Sequence, residues 1–403
     1  ARRVKWRSWA TGHPLDLAVF RITSSAVVLM SADVWDAPTW ASAAVRAPVG
    51  WGFVSALLPA SHDAALVALG LVVVFTSLTL LGAFTRVSSV VSALSLVWLL
   101  GVPQQSGVVL HTHHLVWFMA LVAAGPSGDA LSVDAWRRTT SVAPSVAHGL
   151  PVRAAWLSIG LLFFFPGVWK LASASVWLEQ LPTLVAWKRF QLGLPSLDVS
   201  QSFLRVGGVA TIAFEVGFIA LVVFARTRLV GVVAAFAFHA GVQALLGIRF
   251  SSLWSCYLVF LPWSRWLGSP ISVVEGKRST VAPLVVAGAL LSAQVLTGVL
   301  LNETSWPVAC YPTFRNPAPQ VVRWLELETD EGVVLSLERM RSGPHQRWWG
   351  LSERTAWAPT PAALEQLFTQ AVGRPRREGE AARWTVVTFS PSTNETRREP
   401  ALP

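Results

Sequence analysis

Between residues 15 and 301 the chain returns repeatedly to apolar runs about as long as a bilayer is thick. A helix rises about 1.5 Å per residue, so ~20 apolar residues cross the ~30 Å hydrocarbon core. Runs at 15–31, 64–84, 87–102, 108–124, 153–171, 203–225, 229–246, 250–263 and 281–301 fit that length. In hydrocarbon the backbone must satisfy its own hydrogen bonds, which leaves helices or closed barrels. Continuous runs without two-residue alternation select helices. The expected fold is a polytopic α-helical membrane protein with about nine transmembrane helices. The run at 250–263 is the weakest of them, and 51–60 is apolar but too short, so it reads as a re-entrant or interfacial helix.

Composition agrees. Hydrophobic residues make up 53% of the 403 and charged residues only 13%, with a mean hydropathy of +0.50. Many of the 21 Trp sit at run edges, including Trp35, Trp51, Trp136, Trp187, Trp263 and Trp266, where an aromatic belt places them. The net charge of +10 is uneven: residues 302–403 carry 12 Lys and Arg against 12 Asp and Glu, and residues 1–301 carry 20 against 10. The basicity belongs to the membrane part, which argues against a nucleic-acid partner.

Basic residues in short loops mark the cytoplasmic side. Nine spans with the N-terminus inside put Arg86, Arg137, Arg138, Arg226, Arg228, Arg265, Lys277 and Arg278 there, together with the basic flank at residues 1–7, which reads as a flank rather than a cleavable leader. The outer loops keep Arg46, Lys188, Arg189, Arg205 and Arg249. The expected location is the cytoplasmic membrane, with residues 302–403 outside as a small α+β exoplasmic C-terminal domain. In that tail, 321–338 alternates and breaks at Asp330-Glu-Gly332, a hairpin signal. Residues 361–372 read as a helix and 384–390 as a further strand. The tail carries no catalytic motif, and His345 reads as a surface residue. Cys256 and Cys310 can pair only if Cys256 reaches the outer surface.

A few expensive residues interrupt the apolar runs: His111, His113, His114, Lys170, Glu215 and His239. A lone lysine near a span end can snorkel. The proposed topology, however, places all six in the outer half of the bilayer, whereas snorkelling residues would appear at both ends; a shared buried polar site follows. Metal binding is a poor fit, because His111 and His114 share a helical face while His113 points elsewhere, and no His-Glu-x-x-His pattern exists. Gly-x-Ser-x-Gly is absent, and Cys256 has no basic neighbour in its span. Proton abstraction fits better: a desolvated lysine can act as a neutral amine base, and neighbouring imidazoles can relay the proton. A lipid-soluble hydroquinone is a natural partner for such a base.

Several motifs carry a family resemblance. They are Asp16-Leu-Ala-Val-Phe-Arg-Ile22, His113-His114-Leu-Val-Trp, Leu131-Ser-Val-Asp134, Gly167-Val-Trp-Lys170-Leu171, Glu215, and Phe238-His239 followed by Gly247-Ile-Arg-Phe250. In this order, over roughly residues 10–300, they resemble the membrane domain of vitamin K-dependent γ-carboxylases, part of the horizontally transferred transmembrane domain group. The resemblance implies Lys170 as the base that deprotonates reduced vitamin K or another lipid hydroquinone, with His114 taking part in the chemistry. O2 and CO2 are the implied co-substrates, and glutamate in a secreted peptide or protein the implied acceptor. His113, Trp169, Glu215 and His239 are the expected quinol-pocket residues. Two departures stand out: the family's lysine usually follows another lysine, whereas Trp169 stands here, and the tail is too short to supply the large substrate-docking region of the animal enzymes. The membrane domain also resembles bacterial maturation factors for secreted toxins of the sporulation-delaying type, so a maturation factor without carboxylase activity is the rival reading. A transporter is a weaker third, because no inverted pair of broken helices is visible, although Pro103 and Pro166 interrupt spans.

Overall fold

The computed structural model describes residues 8–41, 57, 61–103, 112–138, 142–268, 278–300, 305–310, 318–341, 352–353 and 355–401. His111 and nearly all of the short apolar segment 51–60 lie outside them. The chain is mostly helical. The helices are α1 (Pro14–Met30), α2 (Ala32–Ala41), α3 (His62–Leu81), α4 (Thr85–Leu100), α5 (His113–Ala124), α6 (Val133–Trp136), α7 (Val146–Ala172), α8 (Ala174–Gln191), α9 (Gln201–Val223), α10 (Arg228–Leu246), α11 (Ser251–Cys256), α12 (Trp263–Trp266) and α13 (Val281–Val299).

Each of the nine expected runs contains a helix, but among the described residues five of them, α3, α7, α9, α10 and α13, are long and apolar enough to cross a membrane alone. The α1–α2 pair adds a sixth if its 47° bend lies within one span. The run at 250–263 departs most from expectation. After α11 it tightens into a 3₁₀ turn at Tyr257–Phe260 and then stops, because Pro262 has no N–H to donate and disfavours helical backbone at Leu261. Sequence reading also missed α8, which follows α7 after one intervening residue.

α7 is the central post, packing against α1, α5, α9 and α13. At one end of the bundle Asp16 accepts from the Ser264 N–H (2.8 Å) and hydroxyl (2.9 Å), and Gly12 pairs with Ser145 through backbone bonds. Asp134 accepts from Phe84 N and from the N–H and hydroxyl of Thr85, capping α4 as it leaves the left-handed turn at Gly82. A side chain at Gly82 would lie 2.2 Å from Ser132 Cβ. Asp129 gathers Arg138, Arg278 and His148 at 2.5–3.0 Å. Burial works against the Asp129 carboxylate, but these partners outweigh it and hold its pKa below the ordinary value. Buried Arg21 reaches from α1 to the carbonyls of Ser127 (2.6 Å), Ala130 (3.3 Å) and Leu131. At the opposite end, Trp306 donates to Val97 O (3.1 Å) and Trp117 to Pro307 O (2.8 Å). Between α3 and α4 a hydroxyl seam runs through Thr76–Ser92 (2.6 Å) and Thr79–Ser88 (3.2 Å), a polar adhesive suited to apolar surroundings.

The tail forms β1 (Val322–Thr329), β2 (Gly332–Leu335), α14 (Leu337–Arg341), α15 (Pro361–Val372), β3 (Ala382–Ser390) and β4 (Glu395–Pro400). The sheet is antiparallel in the order β2-β1-β3-β4. The hairpin at 330–331, the helix at 361–372 and the strand around 384–390 are where the sequence puts them. β4 is an addition. The sheet's buried residues, among them Trp324, Leu325, Val387 and Phe389, cluster with Leu367 and Phe368 of α15, apart from the bundle core. α8 joins this cluster from the bundle side, stacking Phe190 on Phe389 with ring centroids 3.5 Å apart.

Candidate functional site

A cavity of about 520 Å³ lies among α7, α8, α9 and α10, with His114 of α5 and Phe250 and Leu253 completing its wall. Its surface is mostly aromatic and aliphatic, with Phe163, Phe203, Phe214 and Phe238 prominent. Lys170 is 3% exposed and Glu215 4%, and Lys170 Nζ donates to Glu215 Oε1 at 2.5 Å.

The local sequence explains why these two meet. Gly167 precedes Lys170 by one helical turn and so shares its face. A side chain at Gly167 would lie 2.7 Å from Glu215 Cβ and 2.9 Å from Val216 N, so only glycine lets α9 come this close to α7. Two burial-intolerant groups thereby satisfy one another across a helix interface, the arrangement apolar surroundings demand of charge. Trp177, one turn into α8, places its ring 5.6 Å from Lys170 Nζ.

His239 lies across the cavity on α10, buried, with Nε2 2.6 Å from the Tyr257 hydroxyl. A neutral imidazole carries one donor and one acceptor, so the direction of that bond fixes which function Nδ1 presents. Among the described residues, His239 Nδ1, Glu215 Oε2 and Trp177 Nε1 are buried polar atoms with no hydrogen-bond partner. All three residues line the cavity.

Of the residues singled out from sequence, Lys170, His114, Glu215 and His239 therefore face one space. Two expected pocket residues do not. His113 packs on Trp306 with ring centroids 4.5 Å apart, and the Trp169 indole donates to Gly298 O at 2.9 Å, tying α7 to α13. The reason is helical geometry: each adjoins a cavity residue in sequence, and one residue step turns a side chain by about 100°. Tyr257 and Trp177 are the residues that sequence reasoning missed. Tyr257 carried a faint signal, as one of two tyrosines in the chain, placed in an otherwise apolar run. Cys256 and Cys310 are both buried and are not joined in a disulfide.

No curated protein and no solved structure matches this chain. A family model does: the HTTM domain, over residues 10–264, a stretch that holds every polar residue of the cavity. This is the domain found in vitamin K-dependent carboxylases. The match covers well over half of the sequence, and the chain belongs to the HTTM domain family.

Proposed function

We propose that this chain is a carboxylase-type membrane enzyme in which Lys170, partnered by Glu215, takes a proton from a lipid-soluble hydroquinone held in the cavity. The supporting observation is the 2.5 Å Lys170–Glu215 contact inside an apolar chamber. A proton can pass between Nζ and Oε1 across that contact, and when the carboxyl holds it the pair presents a neutral amine. The cavity suits such a ligand: its phenylalanines accept a flat ring and an isoprenoid tail, and Glu215 Oε2, His239 Nδ1 and Trp177 Nε1 are ready for hydroxyl groups. When bound, reduced vitamin K or a similar hydroquinone supplies, with O2, a base strong enough to remove a glutamate γ-proton, after which the carbanion takes up CO2. His114 and His239 orient or relay the proton, and Tyr257 holds His239 in place.

Entry is from the bilayer. Phe203 and Ala210 on α9 and Ala237 and Gly241 on α10 line the cavity and are also exposed on its outer side. A side chain at Gly207 or Gly241 would meet nothing within 4 Å, while deeper in the bundle Phe214 and Phe238 stack at 4.7 Å and close the floor. Gly207→Trp or Gly241→Trp should therefore narrow a lateral opening. We expect tenfold or weaker binding of a long-tailed quinol to the purified protein, with a tail-less analogue nearly unaffected. Equal losses for both would place entry elsewhere. The function itself is tested by mass spectrometry of a candidate peptide incubated with protein, reduced quinone, O2 and CO2. Glutamate carboxylation supports the enzyme; quinol binding without it favours the maturation-factor reading.

We also propose nine passes with the N-terminus inside, residues 1–301 forming the membrane domain and 302–403 the exoplasmic one. The Asp16–Ser264 contact supports it, since eight passes between them return the chain to the same side. Trp306 beside Val97 supports a ninth. Ser392, in the exposed turn before β4, gives a direct check. Ser392→Cys should react with an impermeant maleimide on intact cells over little background, because Cys256 and Cys310 are buried. Labelling only after lysis would mean an even number of passes.

A further inference from the structure

We infer that Arg153 and Arg228 form an anion site on Trp156 whose ligand is the phosphate of an anionic phospholipid headgroup. Their guanidinium carbons lie 3.7 Å and 3.6 Å from the Trp156 ring centroid. Two guanidiniums cannot share one face at that distance without overlapping, so they take opposite faces. The indole between them is fixed: it is 3% exposed, and Nε1 donates to Val259 O at 2.8 Å. The arginines are fixed too, Arg153 Nε donating to Trp9 O (3.1 Å) and Arg228 Nε to Val222 O (2.9 Å). Both are half-buried. This is a built sandwich of two cations, unlike a snorkelling chain that trails into water.

What it lacks is negative charge. Neither arginine makes an ion pair among the described residues. Asp16, whose field reaches both, already has its two oxygens bonded to Ser264. Arg265 adds a further positive charge nearby. Arg228 Nη2 reaches Val223 O only at 3.5 Å, and the other Nη donors of the two guanidiniums are open to a ligand with several acceptor oxygens. A phosphate with two N–H···O bonds of about 2.9 Å spans roughly 8 Å in all, enough to bridge two guanidiniums around the rim of an indole.

The surroundings choose between a lipid and a free phosphate. Trp9 (38% exposed), which Arg153 contacts, Phe224 (64%) and Leu229 (60%) close to Arg228 in the chain, and Trp266 (57%) next to Arg265 expose apolar surface, the character of the membrane interface. Basic pockets between helices at that depth suit anionic headgroups. The site is independent of the cavity and of the chemistry proposed there.

The test uses the full chain in neutral detergent with phosphatidylglycerol, phosphatidylcholine or inorganic phosphate. Phosphatidylglycerol should remain as a bound adduct in native mass spectrometry and raise the unfolding midpoint, and phosphatidylcholine should do neither. Arg153→Gln with Arg228→Gln should weaken phosphatidylglycerol binding at least tenfold, whereas Arg265→Gln, outside the sandwich, should change it about twofold or less. If the double variant does not fold, Arg228→Lys serves instead: it keeps the charge but loses the planar edge, and should bind several-fold more weakly. Equal retention of the two lipids, or Arg228→Lys or the double variant matching wild type, overturns the site. Stabilisation by inorganic phosphate equal to that by phosphatidylglycerol overturns the lipid assignment.

Discussion

Lys170→Arg should abolish turnover while leaving the fold intact. Arginine keeps the positive charge opposite Glu215 but does not release its proton in a protein, so the substitution separates basicity from charge. Loss of a general base costs about 10²- to 10⁴-fold, and the drop should appear in kcat with reduced quinone in reconstituted membranes. Lys170→Ala should be as inactive, yet partly rescued by small amines that fit the vacated volume beside Glu215. Glu215→Gln removes the proton partner and should also lower kcat. If Lys170→Arg kept near-wild-type activity, charge alone would suffice, and the carboxylase-type mechanism should give way to the maturation-factor reading.

Arg21→Met should produce the largest loss of stability in the bundle. The buried guanidinium of Arg21 serves the carbonyls of Ser127, Ala130 and Leu131, and methionine leaves all three without that donor. An orphaned buried acceptor costs about 1–3 kcal/mol; the Ser127 contact is buried and those to Ala130 and Leu131 partly so, so a loss of roughly 2–4 kcal/mol is expected. It is measurable as a lower unfolding midpoint in detergent. Arg21→Lys should recover only part, because one ammonium cannot reproduce a guanidinium fork. A change of under about 1 kcal/mol for Arg21→Met would mean that water replaces the guanidinium at these carbonyls. The short helix α6 that follows carries Asp134, which caps α4 through Phe84 and Thr85. The motifs Asp16-Leu-Ala-Val-Phe-Arg-Ile22 and Leu131-Ser-Val-Asp134 thus hold the scaffold, away from the reacting groups.

Much of this was legible in the sequence because hydrocarbon imposes few choices. Apolar length located the helices, and the expense of burying charge singled out Lys170, Glu215 and His239. That Lys170 and Glu215 touch was not legible: 45 residues separate them, and their approach depends on the missing side chain of Gly167. α8 escaped because Glu179, Gln180, Pro182, Lys188 and Arg189 dilute its apolar character, although its inner side walls the cavity. β4 escaped for the opposite reason. All six of its residues are exposed, so no alternation marks it, and its charges belong to an edge strand guarded against further pairing. His113 and Trp169 misled because proximity in sequence to a cavity residue is no guide to facing on a helix.

α8 touches two places at once. Near its start, Trp177, Leu181 and Leu184 form the cavity wall beside Lys170; near its end, Trp187 and Phe190 enter the core of the tail's sheet. From Trp177 to Phe190 is about 20 Å of helix, interrupted in its backbone bonding only at Pro182. Packing at the sheet and packing around the Trp177 ring are therefore set by the position of one continuous helix.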